Sequence, residues 1–131
     1  MQATLHTSDL AQFTGDIIRY AHPLNRQVVY THGVRYVAEH GHAYWLIDAI
    51  VSYYGTRQMQ AAFRQDPRTA TMHFWRLTVT DGSAVLVAQA DAGEEPFIRQ
   101  VIAFTDFPLQ QIDIWAEYDG AHWTLYLPSE H

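Results

Sequence analysis

From Met72 onward the apolar residues of this chain recur at every second position, whereas before it helical segments predominate beside one β-rich stretch at 27–31. One element cannot satisfy both periods. Side chains alternate across a strand but return to one face of a helix about every 3.6 residues. Helices therefore come first and strands follow. That order reads as α+β, with helices on one face of an antiparallel sheet.

In the strand half, Met72 to Thr80 puts Trp75, Leu77 and Val79 on one face. Asp81-Gly82-Ser83 is a turn, and Ala84 to Ala90 returns as a strand. Asp91 to Pro96 is a polar loop, after which Phe97 to Thr105 alternates Ile98, Gln100, Ile102 and Phe104 against Arg99, Val101 and Ala103. Asp106-Phe107-Pro108-Leu109 turns the chain again. Ile112 to Tyr118 and His122 to Leu127 then flank Asp119-Gly120, a strong hairpin signal. The expectation is an antiparallel meander of about five strands.

The first half predicts a short helix over Ser8 to Phe13, capped by Thr7 or Ser8 and ended by Thr14-Gly15. Gln27 to Thr31 is β-rich, and His32-Gly33 reads as a turn. Val34 to Ala38 then returns as the second strand of an N-terminal hairpin; a short helix beginning at Val34 is the competing reading. Ala43 to Tyr54 is the central helix. It is apolar almost all round, the mark of a buried helix. Thr56 caps another helix, Arg57 to Gln65, with Met59, Ala62 and Phe63 inward and Asp66-Pro67 ending it. A hydrophobic content of 48% over 131 residues is enough to bury one core, so residues 1–131 form a single domain.

Several chemistries are excluded. There is no cysteine, hence no disulfide and no thiolate metal site. All eight basic residues are arginine, which removes a lysine Schiff base and a lysine-containing phosphate loop. No G-x-S-x-G elbow occurs. Met1 to His6 lacks the regions of a signal peptide, and the longest apolar run, Ala43 to Val51, is short and interrupted by Asp48. A cytoplasmic home fits these features.

Two sets of residues remain as candidates for chemistry. The eight histidines are densest at Glu39-His40-Gly41-His42, but nothing in the spacing demands a third ligand, so neither a metal nor another cofactor is expected. Asp48 sits mid-helix among Leu46, Ile47, Ala49 and Ile50. The expectation is a mostly buried carboxylate that accepts hydrogen bonds from backbone amides or from a tyrosine or arginine outside its helix. Its structural reading is a pin for the helix. Its catalytic reading joins Asp48 or Glu39 to His40 or His42 in a small hydrolase-like enzyme.

Charge is divided unevenly. Residues 1–80 hold seven arginines and five acids, a balance of +2; residues 81–131 hold one arginine and nine acids, a balance of −8. A field of this kind steers binding toward basic partners and away from nucleic acid. Candidate contacts are Glu94 and Glu95 in one loop, and Asp113, Trp115, Glu117 and Asp119 on or beside one strand. Period two places Asp113, Trp115 and Glu117 on one face, a tryptophan between two acids.

The block Val28 to Glu39, followed by Ala43 to Ile50, resembles the signature of a family of small bacterial, plasmid and phage proteins of unknown function. Asp9 to Gly15, Thr105 to Leu109 and Leu127 to Glu130 look like its other landmarks, so the resemblance covers nearly the whole chain. It implies a mobile-element setting, where small proteins counter host defences or regulate the element. It also implies that His32, His40 and His42 are particular to this chain. The sequence thus points to a non-enzymatic interaction protein. Its acids would mimic a phosphate backbone and cover the basic, nucleic-acid-binding surface of a host defence component, as an anti-CRISPR protein does. Neither direct nucleic-acid binding nor a membrane is expected, and homo-oligomers are compatible with this reading.

Overall fold

The computed structural model describes residues 5–12 and 19–131. Its elements are α1 (Thr7–Leu10), β1 (Arg19–Ala21), β2 (Val28–Thr31), α2 (His32–His40), α3 (Tyr44–Val51), α4 (Arg57–Gln65) and a 3₁₀ turn (Pro67–Ala70). There follow β3 (Met72–Thr80), β4 (Ser83–Gln89), β5 (Pro96–Ile102), β6 (Gln111–Tyr118), β7 (Trp123–Tyr126) and a closing 3₁₀ turn (Pro128–Glu130). The class is α+β. The strands form one seven-stranded sheet in the order β1-β2-β7-β6-β3-β4-β5. It is mixed, because β2 and β7 run parallel while every other neighbouring pair is antiparallel.

Two expectations about the sheet need correction. The five C-terminal strands are contiguous, but they are not a meander. β3, β4 and β5 are joined by hairpins, and β6 then returns to pair with β3. That spatial order is a Greek key. The connection over 103–110 is pulled back across the sheet because Phe107 and Leu109 are buried in the core. Phe107 packs so closely on Gly41 that a Cβ there would lie 2.8 Å from its ring.

The N-terminal hairpin is also different from expectation. Val34 to Ala38 is helical, and β2 pairs instead with β1, through Arg19↔Thr31 and Ala21↔Val29. Two things favour the helix. The Thr31 hydroxyl accepts from the Val34 amide as an N-cap. Val34, Val37 and Ala38 fall on one helical face and are buried.

Helices α2, α3 and α4 bury Val34, Val37, Leu46, Ile50 and Met59 in one cluster with Trp75, Leu77, Leu86, Ile98, Ile114 and Leu125 of the sheet. On β3, β4 and β6 the other face of the sheet carries Met72, Phe74, Arg76, Val85, Val87, Asp113, Trp115 and Glu117, none of them buried, whereas Thr124 and Tyr126 of β7, opposed to Glu117 and Trp115 on that face, are buried. The Thr56 cap on α4 is as the sequence predicts, with its hydroxyl accepting from the Met59 amide. α1, by contrast, begins after His6 as N-cap, neither Thr7 nor Ser8. Its predicted end at Thr14-Gly15 lies outside the described residues.

Candidate functional site

α3 places Leu46, Ile47, Ile50 and Val51 inward, which leaves Tyr44 and Asp48 on the opposite stripe. Asp48 is therefore a correction. Its side chain is 67% exposed, and the buried member of the pair is its partner, His22. His22 Nε2 donates to Asp48 Oδ1 at 2.9 Å. Its Nδ1 accepts from the amides of Leu24 and Asn25 at 3.1 and 3.2 Å. Those two amides fix the tautomer. A general base needs a free lone pair, and this imidazole has none left. The pair pins the loop after β1 to α3.

The other catalytic candidates are likewise dispersed. Glu39 accepts from Arg35 Nε at 2.8 Å and from the Tyr44 hydroxyl at 3.2 Å. The Arg35 bond holds its carboxyl below the usual carboxylate range. His40 stacks on Tyr36 at 3.8 Å and bonds its carbonyl through Nδ1. His42 is exposed in the turn between α2 and α3, with φ +52. No hydrogen bond joins Asp48 or Glu39 to His40 or His42. Among the described residues no three His, Asp or Glu side chains are grouped so as to hold a metal.

Sequence reasoning overlooked two polar clusters. His73 lies on the inward face of β3, in register with Trp75 and Leu77, so period two gives its position. The Trp75 indole donates to the Tyr54 hydroxyl at 3.0 Å, which donates to His73 Nδ1 at 2.8 Å; His73 Nε2 in turn donates to the Thr69 carbonyl at 2.6 Å. The ring is sandwiched among Trp123, Phe63 and Phe97. Burial pushes the His73 pKa down to about 4 and the Tyr54 phenol up. Nothing from solvent reaches this group, since His73 is 0% exposed.

The second overlooked cluster is Glu130, buried near the C-terminus. It accepts from the Thr31 hydroxyl and the Leu127 and Gly33 amides. Only the Leu127 amide is a local partner; Thr31 and Gly33 lie 99 and 97 residues away, so the burial of Glu130 against α2 has no local sequence signal.

The residues expected to bind a partner fall into two groups. Glu94 and Glu95 lie in the β4–β5 loop; Glu117 is the last residue but one of β6, and Asp119 is in the β6–β7 turn. Strand directions bring that loop and that turn to the same end of the sheet, where β3 begins. Asp66, Arg68 and Asp91 lie at this end too: Arg68 pairs with Asp66 and with Glu94, both at 2.8 Å, and the Tyr118 amide bonds the Thr71 carbonyl. Glu95 and Glu117 are exposed. The Asp119 carboxylate accepts from the His122 and Ala121 amides, which hold its pKa down.

Asp113 and Trp115 form the second group, out on the open face. They share it with Glu117, as period two requires. Asp113 is gripped by Arg76, with Nε to Oδ1 at 2.7 Å and Nη2 to Oδ2 at 3.1 Å. Trp115 packs edge-on against Phe74 and against the ring of His131. The acidic row is thus neutralised at one end and free at the other.

Fold and surface together define a small α+β protein with a charged sheet end, an open sheet face and no assembled catalytic constellation among its candidate residues. The chain belongs to the family of unknown function DUF6876, which matches residues 4–131. No curated protein and no solved structure matches it significantly. Among the described residues no helix is long and apolar enough to cross a membrane.

Proposed function

We propose that this protein acts by binding, and that the acidic end of its sheet docks on a basic protein surface. One observation carries this reading. Acids far apart in sequence, Asp66, Asp91, Glu94, Glu95, Glu117 and Asp119, gather at one end of the sheet. Convergent carboxylates raise the local negative potential, speed encounter with a cationic patch and select against anionic partners. In its fuller form the proposal makes the protein a cytoplasmic product of a mobile element. Its carboxylates stand in for phosphates and occupy the nucleic-acid-binding surface of a host defence component.

The test is affinity capture from host lysate at low and high salt, run beside a variant with Glu94, Glu95, Glu117 and Asp119 all changed to arginine. The expected result is a partner retained at low salt, released at high salt, lost by the variant, and displaced by added nucleic acid. A partner held equally by both forms would overturn the assignment to this end.

A further inference from the structure

We propose that two copies of this chain join edge to edge along β5, about a two-fold axis that passes through Gln100 perpendicular to the sheet. β5 ends the strand order, and among the described residues it pairs with β4 alone. The register shows what its outer edge presents. Asp81-Gly82 is a two-residue turn with φ +50 and +77, so Thr80 and Ser83 bond each other across it. Bonding alternates along a strand, which turns Ala84, Leu86 and Ala88 toward β5. Their partners Ile102, Gln100 and Ile98 face β4 in return. The amides and carbonyls of Arg99 and Val101 therefore point away from the sheet, and Val101 is 62% exposed. Such a row is a template for a further strand. Two features that blunt an edge, Pro96 and the bulge at Ala88/Gln89, sit at the start of β5 and leave 98–102 open.

The side chains of β5 select both the occupant and the register. An axis through Arg99 would set that guanidinium against its own copy, and like charges directly opposite are unfavourable. An axis through Val101 would carry the pairing past Ile102, where β5 ends. An axis through Gln100 keeps the pairing within β5. Ile98 then lies beside the second copy's Ile102, and Arg99 beside its Val101, with which it exchanges both backbone bonds. Symmetry repeats those two, giving four bonds. On the axis itself, Gln100 is a side chain that can pair with its own copy. Its Oε1 accepts from the Tyr53 hydroxyl at 2.8 Å and has a second lone pair, and its amide nitrogen donates to the same oxygen of the second copy. Phe104, 91% exposed just beyond β5, is carried toward the second copy's Pro96. The same axis brings together the flanks of α3 that carry Trp45, which borders Ile102 and Phe104. The contact is isologous and uses the free β5 edge of both copies, so it closes at two.

The chain has no cysteine, so a single introduced one reports its neighbour across the axis. Position 100 forms a non-bonded pair with itself, its Cα atoms about 4.5 Å apart and within reach of a disulfide. Two residues at position 99 are about 8 Å apart, beyond that reach. Q100C should therefore become a covalent dimer under mild oxidation, while R99C stays largely reduced. V101P removes an outward amide and no bond to β4, a place where an edge strand tolerates proline. It should sediment as a monomer with an unchanged circular dichroism spectrum, where the parent sediments as a dimer. If V101P does not fold, the two cysteine variants decide. A folded V101P that stays dimeric, or equal cross-linking of Q100C and R99C, would overturn the proposal. So would a parent that is monomeric through the micromolar range, which would leave the edge to a strand from another protein. None of these measurements involves a second protein, so the outcome is separate from that of the acidic end.

Discussion

The carboxylate of Glu130 occupies the space that a side chain at Gly33 would fill: a Cβ at Gly33 would lie 2.7 Å from Oε1. The C-terminus thereby closes over the first turn of α2. Its carboxylate takes the Thr31 hydroxyl at 2.7 Å, and that hydroxyl accepts from the Val34 amide at 3.3 Å. A negative group beside a helix N-terminus is also favoured by the helix dipole.

Gly33→Ala forces the carboxylate aside and should cost about 1–3 kcal/mol. Glu130→Ala strands the Thr31 hydroxyl and two amides and should cost about as much or more. The double variant should cost clearly less than the sum, because the new methyl at position 33 fits the vacated space. Urea unfolding of all four proteins gives the coupling, and simple additivity would show that the two residues do not compete.

Tyr54→Phe removes the oxygen that links the Trp75 indole to His73. Two buried polar groups lose their partner, at about 1–3 kcal/mol each. The melting temperature should fall by several degrees while the circular dichroism spectrum keeps its shape. A variant that melts with the parent would mean that water replaces the hydroxyl.

His73 is neutral in the fold, with a pKa of about 4 against an ordinary 6.5. The unfolded chain therefore binds the extra proton between these values. Stability is full above about pH 6.5 and falls as pH drops toward 4, by roughly 3 kcal/mol in all. His73→Gln should be less stable at neutral pH yet lose most of that slope. Denaturant midpoints from about pH 4 to neutrality measure both; an unchanged slope in the variant would assign the dependence to other groups.

Asp48→Asn keeps an oxygen for His22 and should match the parent. Asp48→Ala should cost about 1 kcal/mol, the net worth of one hydrogen bond. His22→Ala should cost more, because it also frees the Leu24 and Asn25 amides. Thermal melts rank the three, and an alanine at 48 more harmful than one at 22 would reverse the assignment of which residue is the pin.

How much was legible depended on how local the cause was. Met72 to Thr80 is a strand in sequence and in structure, since alternation of Trp75 and Leu77 with Phe74 and Arg76 is written residue by residue. The Thr56 cap and the Asp119-Gly120 turn are equally local. Val34 to Ala38 was ambiguous because its residues suit strand or helix. The decision came from Thr31 before it, supported by Glu130 from the far end of the chain. The shared face of Asp113, Trp115 and Glu117 was legible; the neutralisation of Asp113 was not, because Arg76 is 37 residues away.

By itself, then, the sequence determined the class of fold, the faces that the residues of β3 and β6 take and the excess of acid in the second half, all of which follow from period and composition. Only the tertiary structure decided the Greek-key return of β6, the parallel pairing of β2 with β7, the exposure of Asp48 and the gathering of distant acids at one end of the sheet. Each of these depends on which non-local contacts form, and those are chosen by the burial of groups such as Phe107, His22 and Glu130, whose partners lie far along the chain.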